Sequence, residues 1–73
     1  MGKTIYSDDH SRLVARLKKA RAESGLTQIA VAELLGRTQS YVSKVEKGQR
    51  QVDIVELKQF ASVYKKNIDF FLR

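Results

Sequence analysis

The chain has 73 residues, with no Cys, no Pro, a single His, and 14 Lys and Arg against 8 Asp and Glu, a net charge of +6. A domain this short buries only about 60% of the surface its unfolded chain exposes, so a deep enclosed pocket is disfavoured and the stability margin is thin. Without Cys there is no disulfide, thiolate metal ligand or cysteine nucleophile, which fits a reducing compartment and a cytoplasmic location. No apolar run nears the roughly 20 residues of a membrane helix, and the basic excess favours a polyanionic partner such as nucleic acid.

Strand-like alternation is hard to find, and Gly25, Gly36 and Gly48 fall where helices should stop, so the chain reads as all-α. Residues 1–6 lack a pattern and are expected to form a flexible N-terminal tail before a single domain over 7–73. Ser7 can cap a first helix, with Asp8 and Asp9 at its positive end, Leu13, Leu17 and Ala20 on one face and Gly25 closing it. Thr27 caps a second helix with Val31, Ala32 and Leu35 inward, ended by a left-handed Gly36. Small Ala32 lets the next helix approach closely.

Thr38 caps that third helix, in which Val42 and Val45 face inward and Gln39, Ser40, Ser43, Lys44 and Lys47 face out. Two helices of about two turns, joined only by Gly36, Arg37 and Thr38, have the proportions of a helix-turn-helix, whose second helix can enter a DNA major groove. From Arg37 to Arg50 the cations Arg37, Lys44, Lys47 and Arg50 face a single acidic residue, Glu46. Asp53 with Glu56 makes a capping-box-like start for a fourth helix, and Ile54, Leu57, Phe60, Ala61 and Tyr64 supply its apolar face. Asn67 can cap a final short helix carrying Ile68, Phe71 and Leu72. A compact five-helix domain is the expected architecture.

Catalytic patterns are missing. His10 lies in the first turn of the first helix among Asp8, Asp9 and Ser11, and reads as a solvated polar residue with no nucleophile to serve. Adjacent residues on a helix splay around its axis, so Asp8, Asp9 and His10 do not converge on a metal. There is no phosphate-cradling GxxxxGK[ST] loop and no GxGxxG after a strand. Neither enzymatic activity nor a cofactor or metal is expected.

The run from Leu17 to Leu72, about three-quarters of the chain, resembles DNA-binding domains of the phage-repressor type (Cro/C1, also called XRE-type), a lambda-repressor-like five-helix fold. Leu17, Arg21, Gly25-Leu26-Thr27-Gln28, Ala32, Leu35-Gly36, Ser43, Val45-Glu46, Gly48, Leu57, Ala61 and Leu72 carry the resemblance in order. It implies that Arg21 and Glu46 form a structural ion pair, and a bidentate guanidinium would neutralise that carboxylate near DNA phosphates. It also implies base reading by Gln39, Ser40, Ser43 and Lys44. The chemistry agrees: a Gln amide can pair with adenine N7 and N6, Lys can donate to guanine O6 and N7, and Ser is permissive.

Gln28 resembles the family position that contacts a phosphate and braces the first recognition residue, here Gln39. Thr27, Thr38, Lys47 and Arg50 can join it as backbone contacts. Two readings stay open for Arg37, a phosphate contact or a solvated side chain, and two for Tyr41, stacking on a sugar or thymine methyl or packing on the protein. Departures from the family are Val52 where a Pro is common, Lys65 and Lys66 where the turn usually has small residues, and Ile29 and Ala30 where the second helix usually begins with an acidic residue. Ile29 is a candidate partner contact.

One recognition helix reads few base pairs, so a homodimer spacing two of them about 34 Å apart is expected. Phe70, Phe71 and Leu72 cannot all face one helix's own core, and Phe70 is the candidate dimer contact. The leading function is a sequence-specific double-stranded DNA-binding transcriptional regulator, a repressor on an inverted repeat. The competing reading is a protein-interaction module, such as an antitoxin-like partner, using its basic face for an acidic protein. RNA is a weaker third, since the outer face of the third helix lacks aromatic stacking residues. No ligand domain is visible, so no small-molecule effector is inferred.

Overall fold

A computed structural model describes residues 7–73; the tail expected over 1–6 lies outside the described residues. Those residues form five helices: α1 (Asp8–Ser24), α2 (Gln28–Leu35), α3 (Gln39–Glu46), α4 (Ile54–Tyr64) and α5 (Asp69–Leu72). Side-chain caps set most of the starts. The Ser7, Thr27 and Thr38 hydroxyls accept the backbone N–H of His10 at 3.1 Å, Ala30 at 3.0 Å and Tyr41 at 3.2 Å. Asp53 accepts from the Glu56 N–H at 2.8 Å while Glu56 accepts from the Asp53 N–H at 3.0 Å, a complete capping box. Each such cap contributes about 1 kcal/mol. Before α5, the Asn67 side chain accepts from the Asp69 N–H at 3.1 Å.

The turn between α2 and α3 is tight because Gly36 takes φ 69° and lets the Arg37 N–H reach back to the Ala32 carbonyl at 2.9 Å. α4 ends differently. Lys65 itself occupies the left-handed region at φ 56°, the single non-glycine to do so among the described residues. An L-residue there carries a cost of about 1 to 2 kcal/mol.

α2 packs against α3 with Ala32 only 3% exposed, and α3 rests on α1 while α2 rests on α4. Leu17, Ala20, Val31, Val42, Val45, Leu57, Phe60 and Phe71 fill the centre. Tyr41, Phe60 and Tyr64 stack in series through it, with ring centroids 6.0 and 5.9 Å apart, so the first turn of α3 is fastened to the length of α4. This burial decides between the two readings of Tyr41: its ring packs on the protein.

Two apolar positions differ from expectation. Ile54 is 57% exposed although it shares a face with Leu57 and Ala61, because the first turn of α4 extends past the end of the core. Leu72 is 64% exposed, since one residue beyond buried Phe71 the helix has turned by about 100° toward solvent. Leu13, Leu35 and Ile68, expected to face inward, are half-buried and pack against the edge of the core.

Candidate nucleic-acid interface

α3 is two-sided. Tyr41, Val42, Val45 and Glu46 are buried, while Gln39, Ser40 and Lys44, with Lys47 just after the helix, are exposed and Ser43 is half-buried. Lys44 and Lys47 enter no salt bridge among the described residues, which leaves their charges for an outside anion. The Thr27 and Thr38 hydroxyls accept at their helix starts, and each retains its O–H to donate.

One flank of α3 is braced by Glu46. Arg21 donates from Nε to Oε2 at 2.7 Å and from Nη2 to Oε1 at 3.0 Å, and its Nη1 donates to the Leu26 carbonyl at 3.1 Å. The hydrogen bond to Glu46 raises the Arg21 pKa above its usual value, against the opposing effect of burial. Gln28 donates to the same carboxylate at 3.0 Å, and Gln39 donates to the Gln28 carbonyl oxygen at 3.4 Å. The polarity of this series is set by chemistry. A carboxylate only accepts, so Gln28 turns its NH2 toward Glu46 and its oxygen toward Gln39, which answers with an N–H. One N–H and the carbonyl oxygen of Gln39 remain for a base edge. The Arg21–Glu46 pair, far apart in sequence, thus connects the body of the domain to the first residue of α3.

The opposite flank holds Arg37 and Arg50, whose guanidinium carbons lie 3.9 and 4.7 Å from the Tyr41 ring centroid. Both approach Glu56. The sequence pattern marks Glu56 only as half of a capping box; its position as the carboxylate between two loop arginines has no periodic signal to reveal it. Gln28 and Gln39 are brought together, and so are Arg37 and Arg50, whereas the two pairs lie on different sides of α3.

Away from this face, Ile29 is 56% exposed on α2. Phe70 is half-buried edge-on to Phe71 at 5.2 Å, with Lys66, Arg16 and Arg73 around its ring at 4.7, 5.3 and 5.9 Å. No helix among the described residues is long and apolar enough to cross a membrane.

The family model HTH_3, helix-turn-helix, matches residues 17–71. The chain belongs to the HTH_3 helix-turn-helix family. This HTH_3 chain is similar to the restriction-modification controller protein C.AhdI from Aeromonas hydrophila, at 32% identity and a TM-score of 0.80 over 89% of this chain and 98% of that one. An HTH_3 family transcriptional regulator from Vibrio cholerae is 27% identical with a TM-score of 0.77, covering 85% of this chain and 35% of that one. The clp gene regulator ClgR from C. glutamicum shares the fold at 24% identity, with a TM-score of 0.83 over 96% of this chain and 90% of its own. The HTH-type transcriptional regulator PrpR of Mycobacterium tuberculosis is 45% identical over 40 residues, 55% of this chain, and the chain spans 8% of that protein's length. The HTH_3 chain is a DNA-binding domain of the transcription-regulator type and of Cro/C1 kind, all-helical over its described residues.

Proposed function

We propose that this HTH_3 chain is a sequence-specific repressor that acts in the cytoplasm, residues 7–73 serving as one domain and binding an inverted-repeat operator as a homodimer. The observation that carries the reading is Gln39: braced through Gln28 and Glu46, it presents one N–H and one oxygen from the start of an exposed polar helix. That pair of groups matches the adenine edge in the major groove. Ser40, Ser43 and Lys44 complete the base-reading set. Thr27, Gln28, Arg37, Thr38, Lys47 and Arg50 hold the phosphates, and Phe70 lies at the dimer contact. The likeness to C.AhdI, a restriction-modification controller protein, supports a regulatory output.

The roles separate in binding titrations. Gln39→Ala and Lys44→Ala should each reduce discrimination between the preferred duplex and its single-base variants by about 1 to 3 kcal/mol. Lys47→Ala should weaken every duplex alike and lower the slope of log K against log salt by about one. Unchanged base preference in both Gln39→Ala and Lys44→Ala would overturn the assignment.

A further inference from the structure

Three charged side chains from separate segments meet over Tyr41. Arg37 comes from the turn between α2 and α3, Arg50 from the loop after α3, and Glu56 from the first turn of α4. Glu56 links them: Arg50 Nη1 lies 2.9 Å from Oε2 and 3.1 Å from Oε1, and Arg37 Nη1 lies 3.7 Å from Oε2. The carboxylate side chain is 12% exposed, and its Oε1 also accepts the Asp53 N–H at 3.0 Å. The guanidinium side chains are 36% and 39% exposed. Glu56 is therefore held beneath the two cations, whose outer edges remain open.

We propose that Glu56, with Tyr41 as a platform, is a positioning residue that holds Arg37 and Arg50 as a preformed clamp for one phosphate of the DNA backbone. Tyr41 and Lys44 are neighbours on α3, three residues apart, so the clamp borders the base-reading face on the Lys44 side. Two guanidiniums and one carboxylate leave a single positive charge, which one phosphate neutralises. An arginine free in solvent loses rotamer freedom when it grips an anion; one already stacked and hydrogen-bonded has lost most of it beforehand. Fixed position matters for an operator complex, in which phosphate contacts set the register of α3. It matters little for a loose electrostatic complex on random DNA.

The inference rests on the DNA-binding function proposed above, and the test separates the two. Glu56→Gln preserves the capping box, because Gln also accepts at that position, but removes the charge that holds the guanidiniums. Affinities for a selected operator and for a random duplex of equal length are measured at one salt concentration in the wild type, Arg50→Ala, Glu56→Gln and the double variant. Glu56→Gln should weaken operator binding about fivefold without weakening random-duplex binding, and the loss caused by Arg50→Ala should be about fivefold smaller in the Glu56→Gln background. If Glu56→Gln tightens both duplexes by one factor, or Arg50→Ala costs the same in both backgrounds, the clamp is overturned while DNA binding stands. A wild type that binds neither duplex removes both. Independently of how well Glu56→Gln folds, Arg37→Ala/Arg50→Ala should lower the salt slope by about one, for a shared phosphate; a drop of about two would assign them separate phosphates and overturn the clamp.

Discussion

Glu46 is buried, and its replacement by Leu removes the acceptor of two Arg21 hydrogen bonds and one from Gln28. Breaking a buried ion pair from one side costs about 3 to 5 kcal/mol. The Arg21 side chain is 26% exposed and can recover some hydration, which puts Glu46→Leu near the lower end, at about 3 kcal/mol. A chain of this size has only about 4 to 11 kcal/mol of stability in total, and the melting midpoint should fall by about 12 to 24 °C. Arg21→Met should cost a similar amount by leaving the carboxylate buried with Gln28 alone. The double variant Arg21→Met/Glu46→Leu replaces the pair by apolar side chains of similar volume and should lie within about 2 kcal/mol of the wild type. Urea unfolding followed by far-UV circular dichroism closes the cycle. The double variant should fold yet show weakened base preference at the position read by Gln39, because Gln28 has lost its anchor. Single variants that each lose less than about 1 kcal/mol, as an exposed pair would, or a double variant that loses the sum of the two, would show that Arg21 and Glu46 do not depend on each other as a buried pair.

Lys65→Gly relieves the left-handed backbone at φ 56° and should stabilise the fold by about 0.5 to 1 kcal/mol in the same unfolding assay; a loss would show that the Lys65 side chain does more than fill the turn. The buried Tyr64 hydroxyl has no hydrogen-bond partner among the described residues, so Tyr64→Phe should leave the melting midpoint unchanged or raise it, and a fall of several degrees would contradict this. The Arg50 guanidinium holds the Glu56 carboxyl below its usual 4.5, so Glu56 contributes stability that is present above pH 4.5 and is lost as pH falls through the lower folded value. Urea midpoints measured across the acid range should therefore fall less steeply in Glu56→Gln than in the wild type; parallel curves would contradict the linkage.

Local signals were the most legible in the sequence. Ser7, Thr27, Thr38 and the Asp53/Glu56 pair cap their helices through contacts only three residues long, which a pattern can report. Helical period likewise identified Val31, Ala32, Val42 and Val45 as inward. Period reports a face and not where the neighbouring helices end, and that is why Ile54 and Leu72 lie outside although their spacing predicts an inward face. The Arg21–Glu46 contact spans 25 residues and was accessible through family resemblance, not through spacing. The Arg37, Glu56 and Arg50 cluster had neither aid: it joins two loops and a helix start, and each residue had a plausible separate role.

Selection of bound duplexes from a random DNA library at physiological salt decides whether α3 reads a defined sequence. One enriched motif with dyad symmetry is expected, its half-sites one helical turn or a multiple of it apart. A bound pool with no enriched motif, or with base composition unchanged from the starting library, would contradict it.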